Sequence, residues 1–191
     1  MTIPSTGSVL IGIQKADGEV TVRNLTTQAV TLPKGAVFAT GGEPYLRFAA
    51  LTETNIPVGT EDIKIPVEAL STGPEGNVEP GQITLLEGSD GLKVEVINQQ
   101  SFTGGSAAEA NSPTESDYKR ARDLLLEELD KKALDTIDKD KSTSASPIQN
   151  SLKLKEVVVE ERENPVDEPS DTLTLDMTAV YSVLIYDKEL L

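Results

Sequence analysis

From Val9 to about Asn98 the chain alternates apolar and polar residues in short runs broken by turn formers. The runs "VLIGI", "EVTVRNL", "AVTLPKGAVFAT" and "DIKIPVEAL" carry the two-residue period that puts alternate side chains on opposite faces of a strand. Asp17-Gly18, Lys34-Gly35, Gly41-Gly42 and Gly59 fall between them as turn residues. Two further runs, Ile83 to Leu86 and Leu92 to Ile97, are joined through Gly88-Ser89-Asp90-Gly91, which predicts a hairpin.

After "FTGGSAAEANS" the period changes. Tyr118, Ala121, Leu125, Leu129, Ala133 and Ile137 recur three or four residues apart, and most of the charged residues lie elsewhere. This predicts one amphipathic helix of roughly 25 residues, ending near Lys139. Ser112-Pro113-Thr114-Glu115 reads as its start, with Ser112 as N-cap, proline in the first turn and Glu115 closing a capping box. Two strands follow, Leu152 to Glu160 and Thr172 to Tyr186, which should pair across the acidic, proline-interrupted loop "EERENPVDEPSD". The predicted fold class is α+β: a β-rich N-terminal region of short antiparallel strands over 1–105, then one main helix and a C-terminal strand pair over 106–191, packed with the first region.

Composition narrows the chemistry. Only 4% of the 191 residues are aromatic and none is tryptophan, so the core must rest on Val, Ile, Leu and Ala. With 32 acidic against 17 basic residues the net charge is −15, which repels a phosphate backbone and argues against a nucleic-acid partner. The densest basic cluster, Lys119-Arg120-Ala121-Arg122, is flanked by Asp117 and Asp123 and reads as a solvated helix face. The chain has no cysteine and no histidine, so it offers no thiol nucleophile, zinc-thiolate site or histidine base. No apolar run reaches the ~18 residues of a membrane span, so this chain is not expected to insert directly into a bilayer.

The remaining candidates are weak. The acidic loop could attract calcium but lacks the spaced ligands and glycine of an EF-hand. "GPEGNVEPG" matches neither phosphate-loop pattern and leads into a strand, where a phosphate loop needs a helix N-terminus. The abundant Ser and Thr have no base to activate them. The sequence therefore nominates no catalytic residue, no cofactor and no metal ligand.

Four fragments in order carry a family likeness: Pro33-Lys34-Gly35 with the following Phe-Ala-Thr turn, the loop from Ala69 to Gly81 with Gly76-Asn77-Val78, the turn Phe102-Thr103-Gly104-Gly105, and the charged helix opening with Ser112 and Glu115. Together they resemble the baseplate J-like family, the wedge proteins of contractile phage tails and related injection systems. The likeness runs from about Val20 to Leu134. It implies a non-enzymatic structural protein that assembles through protein–protein contacts with other baseplate proteins, in a virion or tail-like particle. It also implies that Gly73, Gly76 and Gly81, with Gly104 and Gly105, serve backbone geometry, and that Asn77 bonds within its own loop. Family members usually carry more chain before the first strand and after the last, so the sequence reads as a reduced member or a piece of one. The second reading is a cell-envelope or extracellular β-domain with a binding or adhesive role. Partner identity, oligomeric state and compartment are not legible in the sequence.

Overall fold

The computed structural model describes residues 1–59, 62–139, 145–148 and 151–187. The strands are β1 (Thr2–Pro4), β2 (Gly7–Gln14), β3 (Asp17–Asn24), β4 (Val30–Leu32), β5 (Val37–Thr40), β6 (Arg47–Ala50), β7 (Thr54–Ile56), β8 (Ile63–Ala69), β9 (Ile83–Leu86), β10 (Val94–Ile97) and β11 (Ser106–Ser112). Helix α1 (Glu115–Lys139) follows, then β12 (Ala145–Pro147), β13 (Lys153–Arg162), β14 (Thr172–Ser182) and β15 (Ile185–Asp187). The α+β class read from the sequence is what the chain forms. It divides into two units: Leu10–Ala108, and Met1–Val9 together with Glu109–Leu191.

In the first unit six antiparallel strands, in the order β10-β3-β8-β6-β5-β9, curl into a nearly closed barrel. Alternation turns one side chain of each pair inward, and the register lines these up across neighbouring strands. Leu86, Phe38, Phe48 and Ala69 stand opposite one another along one such row, and Val20 faces Ile65 along another. All are buried, as are Val22, Val67, Ile83 and Val96. The chain's three phenylalanines, Phe38, Phe48 and Phe102, all lie in this core. Phe102 meets Phe48 edge to face, with ring centroids 5.0 Å apart at 79°. The short ladder β4-β7 completes the unit's described pairings, while β2 and β11 pair with each other and carry the chain into and out of the unit.

The predicted hairpin between the fifth and sixth runs is not a ladder. β9 pairs with β5 and β10 with β3, at opposite ends of the sheet order. The connection instead makes a 3-10 turn at Ser89–Leu92 after Gly88, whose φ is +90°. A four-residue 3-10 turn is not the two-residue type I′ or II′ turn that closes a tight hairpin. The two edge strands face each other across the barrel's seam.

In the second unit β13 and β14 pair as the sequence predicts, with register shifts between Leu154/Glu156 and Val157/Val159. β1 adds to the other side of β14, Ile3 opposite Leu173, giving a three-stranded sheet β1-β14-β13. Nothing in the pattern of the first residues foretold this placement. Helix α1 lays Ala121 and Leu125 on Ile3, Leu173 and Leu175, with Tyr118, Leu129 and Met177 at the margin. The loop between β13 and β14 is anchored at two points: Asp167 N donates to Pro113 O at 3.2 Å and Ser170 N to Asn111 O at 2.8 Å.

The helix start is corrected by two residues. Ser112 is the last residue of β11 and is buried, and Glu115 instead forms an ion pair with Arg162 at 3.1 Å. The cap is Thr114: its Oγ1 accepts from Asp117 N at 3.1 Å, and Asp117 Oδ2 accepts from Thr114 N at 3.0 Å. This is the reciprocal capping box, built on Thr and Asp in place of Ser and Glu. Pro113 disfavours helical φ/ψ at Ser112, which therefore stays extended.

Candidate functional site: a glycine-lined backbone junction

The segment "TGPEGNVEPGQI" sits where three stretches of the barrel unit converge. Gly73 N donates to Gln14 O at 2.8 Å and Ala69 N to Ala16 O at 2.8 Å, which fixes the segment's start against the chain entering β3. Gly73 then takes φ +126° and Pro74–Gly76 makes a 3-10 turn. Only glycine adopts that φ readily. Gly76 does not have a positive φ; its requirement is steric. It is buried, and a Cβ there would stand 3.0 Å from the Cβ of Ala16 and 3.2 Å from that of Ala69.

Asn77 reaches out of its loop. Its Nδ2 donates to Gly105 O and its Oδ1 accepts from Gly105 N, both at 2.8 Å. The expectation of a bond within its own loop is corrected: the amide imitates a strand and pairs with backbone 28 residues away. Gly105 can have no side chain, because a Cβ would run into the carbonyl oxygen of Gly73. Gly104 takes φ +93° just before it. Phe102 N donates to Val78 O at 2.9 Å, and Asp17 and Thr103 exchange both backbone bonds, at 2.9 and 3.2 Å. Two of the four likeness-bearing fragments, the Ala69–Gly81 loop and the Phe102–Gly105 turn, thus make this junction and are stapled directly to each other.

Gly81, with φ +83° and open space around it, turns the chain into β9 while its N–H donates to Asn98 O at 2.7 Å. Asn98 was not singled out by sequence reasoning. It is fully buried, its Oδ1 accepts from Ile83 N at 2.8 Å, and its Nδ2 donates to Glu79 O and Gln100 O at 2.8 and 2.9 Å. One side chain thereby bridges the seam between the edge strands. The only available signal was an amide straight after an alternating strand, followed by Gln99 and Gln100, which is also how many surface asparagines look.

What the junction can do chemically follows from where its amides point. The N–H groups of Gly73, Gly76, Asn77, Val78, Gly81 and Gln82 donate to backbone carbonyls, that of Glu79 to Gln82 Oε1, and that of Gly105 to Asn77. Eight donors that could face an anion are directed into the protein. The adjoining depression, of about 400 Å³, is bounded by Glu43 and Glu75 and by no basic side chain. Among the described residues no three acidic side chains gather in an arrangement that could hold a metal ion.

Elsewhere on the barrel, Arg47 holds Glu87 through two bonds of 2.8 Å, and Tyr45 Oη donates to the same carboxylate at 3.1 Å. The Arg47 hydrogen bonds hold the Glu87 carboxyl below its ordinary range. In the second unit Asp117 is 1% exposed. Burial by itself would push its carboxyl up, but bonds from the backbone and hydroxyl of both Thr6 and Thr114 outweigh that and hold it at about 2. Both arrangements are structural ties between segments distant in sequence.

Residues 19–105, just under half of the chain, match the family model described as the Baseplate J-like protein barrel domain. No curated protein matches the chain. The matched span runs from Glu19, the third residue of β3, to Gly105, which takes in all of the six-stranded sheet but Asp17 and Gly18, together with the loop and the turn of the junction. Over that span the chain is similar to the barrel domain of the baseplate J-like family.

Proposed function

We propose that this protein is a non-enzymatic structural component of a baseplate-like assembly, of the wedge type, held in place by contacts with other structural proteins of the particle. The observation that carries the reading is the coincidence of the family's barrel with a junction in which eight backbone amides bond within the barrel unit itself. A family of phage-tail structural proteins and a glycine loop that turns most of its amides inward point to the same use: a rigid module that presents its surface. Gly73, Gly76, Asn77, Gly81, Gly104 and Gly105 set the shape of that module, and no cofactor enters the account. The net charge of −15 favours protein partners over nucleic acid.

The test is localisation on a particle. Cells that encode the chain are induced for tail-like particles, and purified particles are labelled with gold-conjugated antibody against the barrel. Label at the baseplate end of the tail is the expected result. Particles that carry no label, from cells in which the chain is expressed, would overturn the reading. Label confined to the cell envelope would favour the envelope alternative.

A further inference from the structure

We propose that the outer edge of β13 pairs antiparallel with the β13 of a second copy of this chain. β13 is the terminal strand of its three-stranded sheet, and among the described residues no strand pairs with its other edge. An open edge presents unpaired N–H and C=O groups, and proteins either block such edges or use them. At the middle of this one stand Val157, Val158 and Val159, with Val158 56% and Val159 39% exposed.

Charge selects a second copy as the occupant. Lys153 and Lys155 lie at one end of the strand, Glu161 and Glu163 at the other, all four exposed. None of the four has an ion-pair partner among the described residues. Of the neighbouring charges, Glu160 and Arg162 are engaged within the unit, while the exposed Glu156 has no ion-pair partner among the described residues and leaves the Lys153 end positive by one charge. Glu160 meets Arg122 at 3.3 Å, while Arg162 meets Glu115 at 3.1 Å and covers the ring of Tyr118. The free charges therefore form a dipole along the edge, positive toward Lys153 and negative toward Glu163.

A two-fold axis at Val158 brings Lys155 of each copy level with Glu161 of the other, and Lys153 level with Glu163. The valines meet in the centre. Glu156 comes level with Glu160, whose charge Arg122 already balances. The two bulges shorten the regular ladder, so the oppositely charged ends set the orientation. The interface is isologous, as a closed dimer requires. The overall negative charge of each copy is screened beyond about 8 Å at physiological salt, whereas opposed pairs in contact are screened far less. The inference stands apart from the baseplate reading, since it uses only the second unit.

Sedimentation equilibrium over a concentration series, at physiological ionic strength, tests it with the full chain and two charge-reversed variants, K153E/K155E and E161K/E163K. All four positions are exposed, and circular dichroism checks that each variant is folded. The wild type is expected to dimerise, each variant to self-associate about tenfold or more weakly, because like charges then oppose one another, and an equimolar mixture of the two variants to regain wild-type association. A monomeric wild type would assign the charges and bulges to edge protection and overturn the proposal. So would unchanged self-association of the variants, or a mixture no tighter than its parts.

Discussion

The buried Oδ1 of Asn98 accepts the amide proton of Ile83 across 2.8 Å, so a side chain performs at the barrel's seam the bond that a strand neighbour performs everywhere else. β9 and β10 face each other there without a ladder, and Asn98 supplies three hydrogen bonds where a ladder would supply several.

Asn98→Ala should therefore cost about 3 kcal/mol of unfolding free energy, because it strands a buried N–H and two carbonyls. Gln99→Ala, one residue on and exposed, should stay within about 0.5 kcal/mol of wild type. Urea denaturation of the two variants makes the comparison. Equal small effects would mean that water satisfies the seam without the amide.

The junction glycines should rank by their causes. Gly105→Ala drives a Cβ into backbone that cannot rotate away, and Gly76→Val crowds two buried alanines, Ala16 before β3 and Ala69 at the end of β8; each should cost more than about 2 kcal/mol. Gly81→Ala meets only the cost of a positive φ, about 1 kcal/mol. Melting temperatures of the three variants read the order, and a Gly81→Ala as damaging as Gly105→Ala would contradict the packing account.

The position of the helix cap separates two adjacent hydroxyls. Thr114→Ala should lose about 1 kcal/mol through the missing bond to Asp117 N. Ser112→Ala should change stability by less than about 0.5 kcal/mol, since among the described residues its hydroxyl makes only a long bond, at 3.4 Å, to Pro113 O. Reversal of the two values in a denaturation series would return the cap to Ser112.

Acid should loosen the helix-bearing unit through Asp117. Its folded value of about 2 lies below the ordinary 3.8, so its contribution is present above pH 4 and disappears as the pH falls from about 4 toward 2. The shift corresponds to about 2 kcal/mol. Unfolding free energy measured across that window should fall with a steeper slope in the wild type than in Asp117→Asn, which has no proton to take up. Parallel slopes would remove Asp117 as the source.

The periodic parts of the chain were legible and the long-range parts were not. Alternation located β3, β8, β13 and β14, and three-and-four spacing gave α1 its extent, because burial of one face dictates both patterns locally. Partner choice is not local. β9 and β10 look like a hairpin from their linker, yet each finds more buried apolar surface beside β5 and β3. Asn77 illustrates the same limit within the site: its residue type announced a hydrogen bond, but the acceptor, Gly105, is set by how the two turns close over Ala16. Ser112 was a plausible cap in isolation and lost the role because its backbone is held in β11. Asn98 carried no pattern, since a single buried polar residue is recognised only by what surrounds it, and the capping-box spacing of Thr114 and Asp117 was overshadowed by that of Ser112 and Glu115.

The barrel interrupts its companion unit, and this orders events during synthesis. The barrel unit, Leu10–Ala108, is continuous in sequence, whereas the other unit is assembled from both sides of it. β1 must wait for β14, since Thr2 pairs with Thr174, and nearly the whole chain has to leave the ribosome before that strand finds its place. The barrel has all its strands by Ile97 and its stapling turn by Gly105. A translating ribosome thus releases a finished barrel while β1 is still unpaired, and β14, made after it, supplies the partner later.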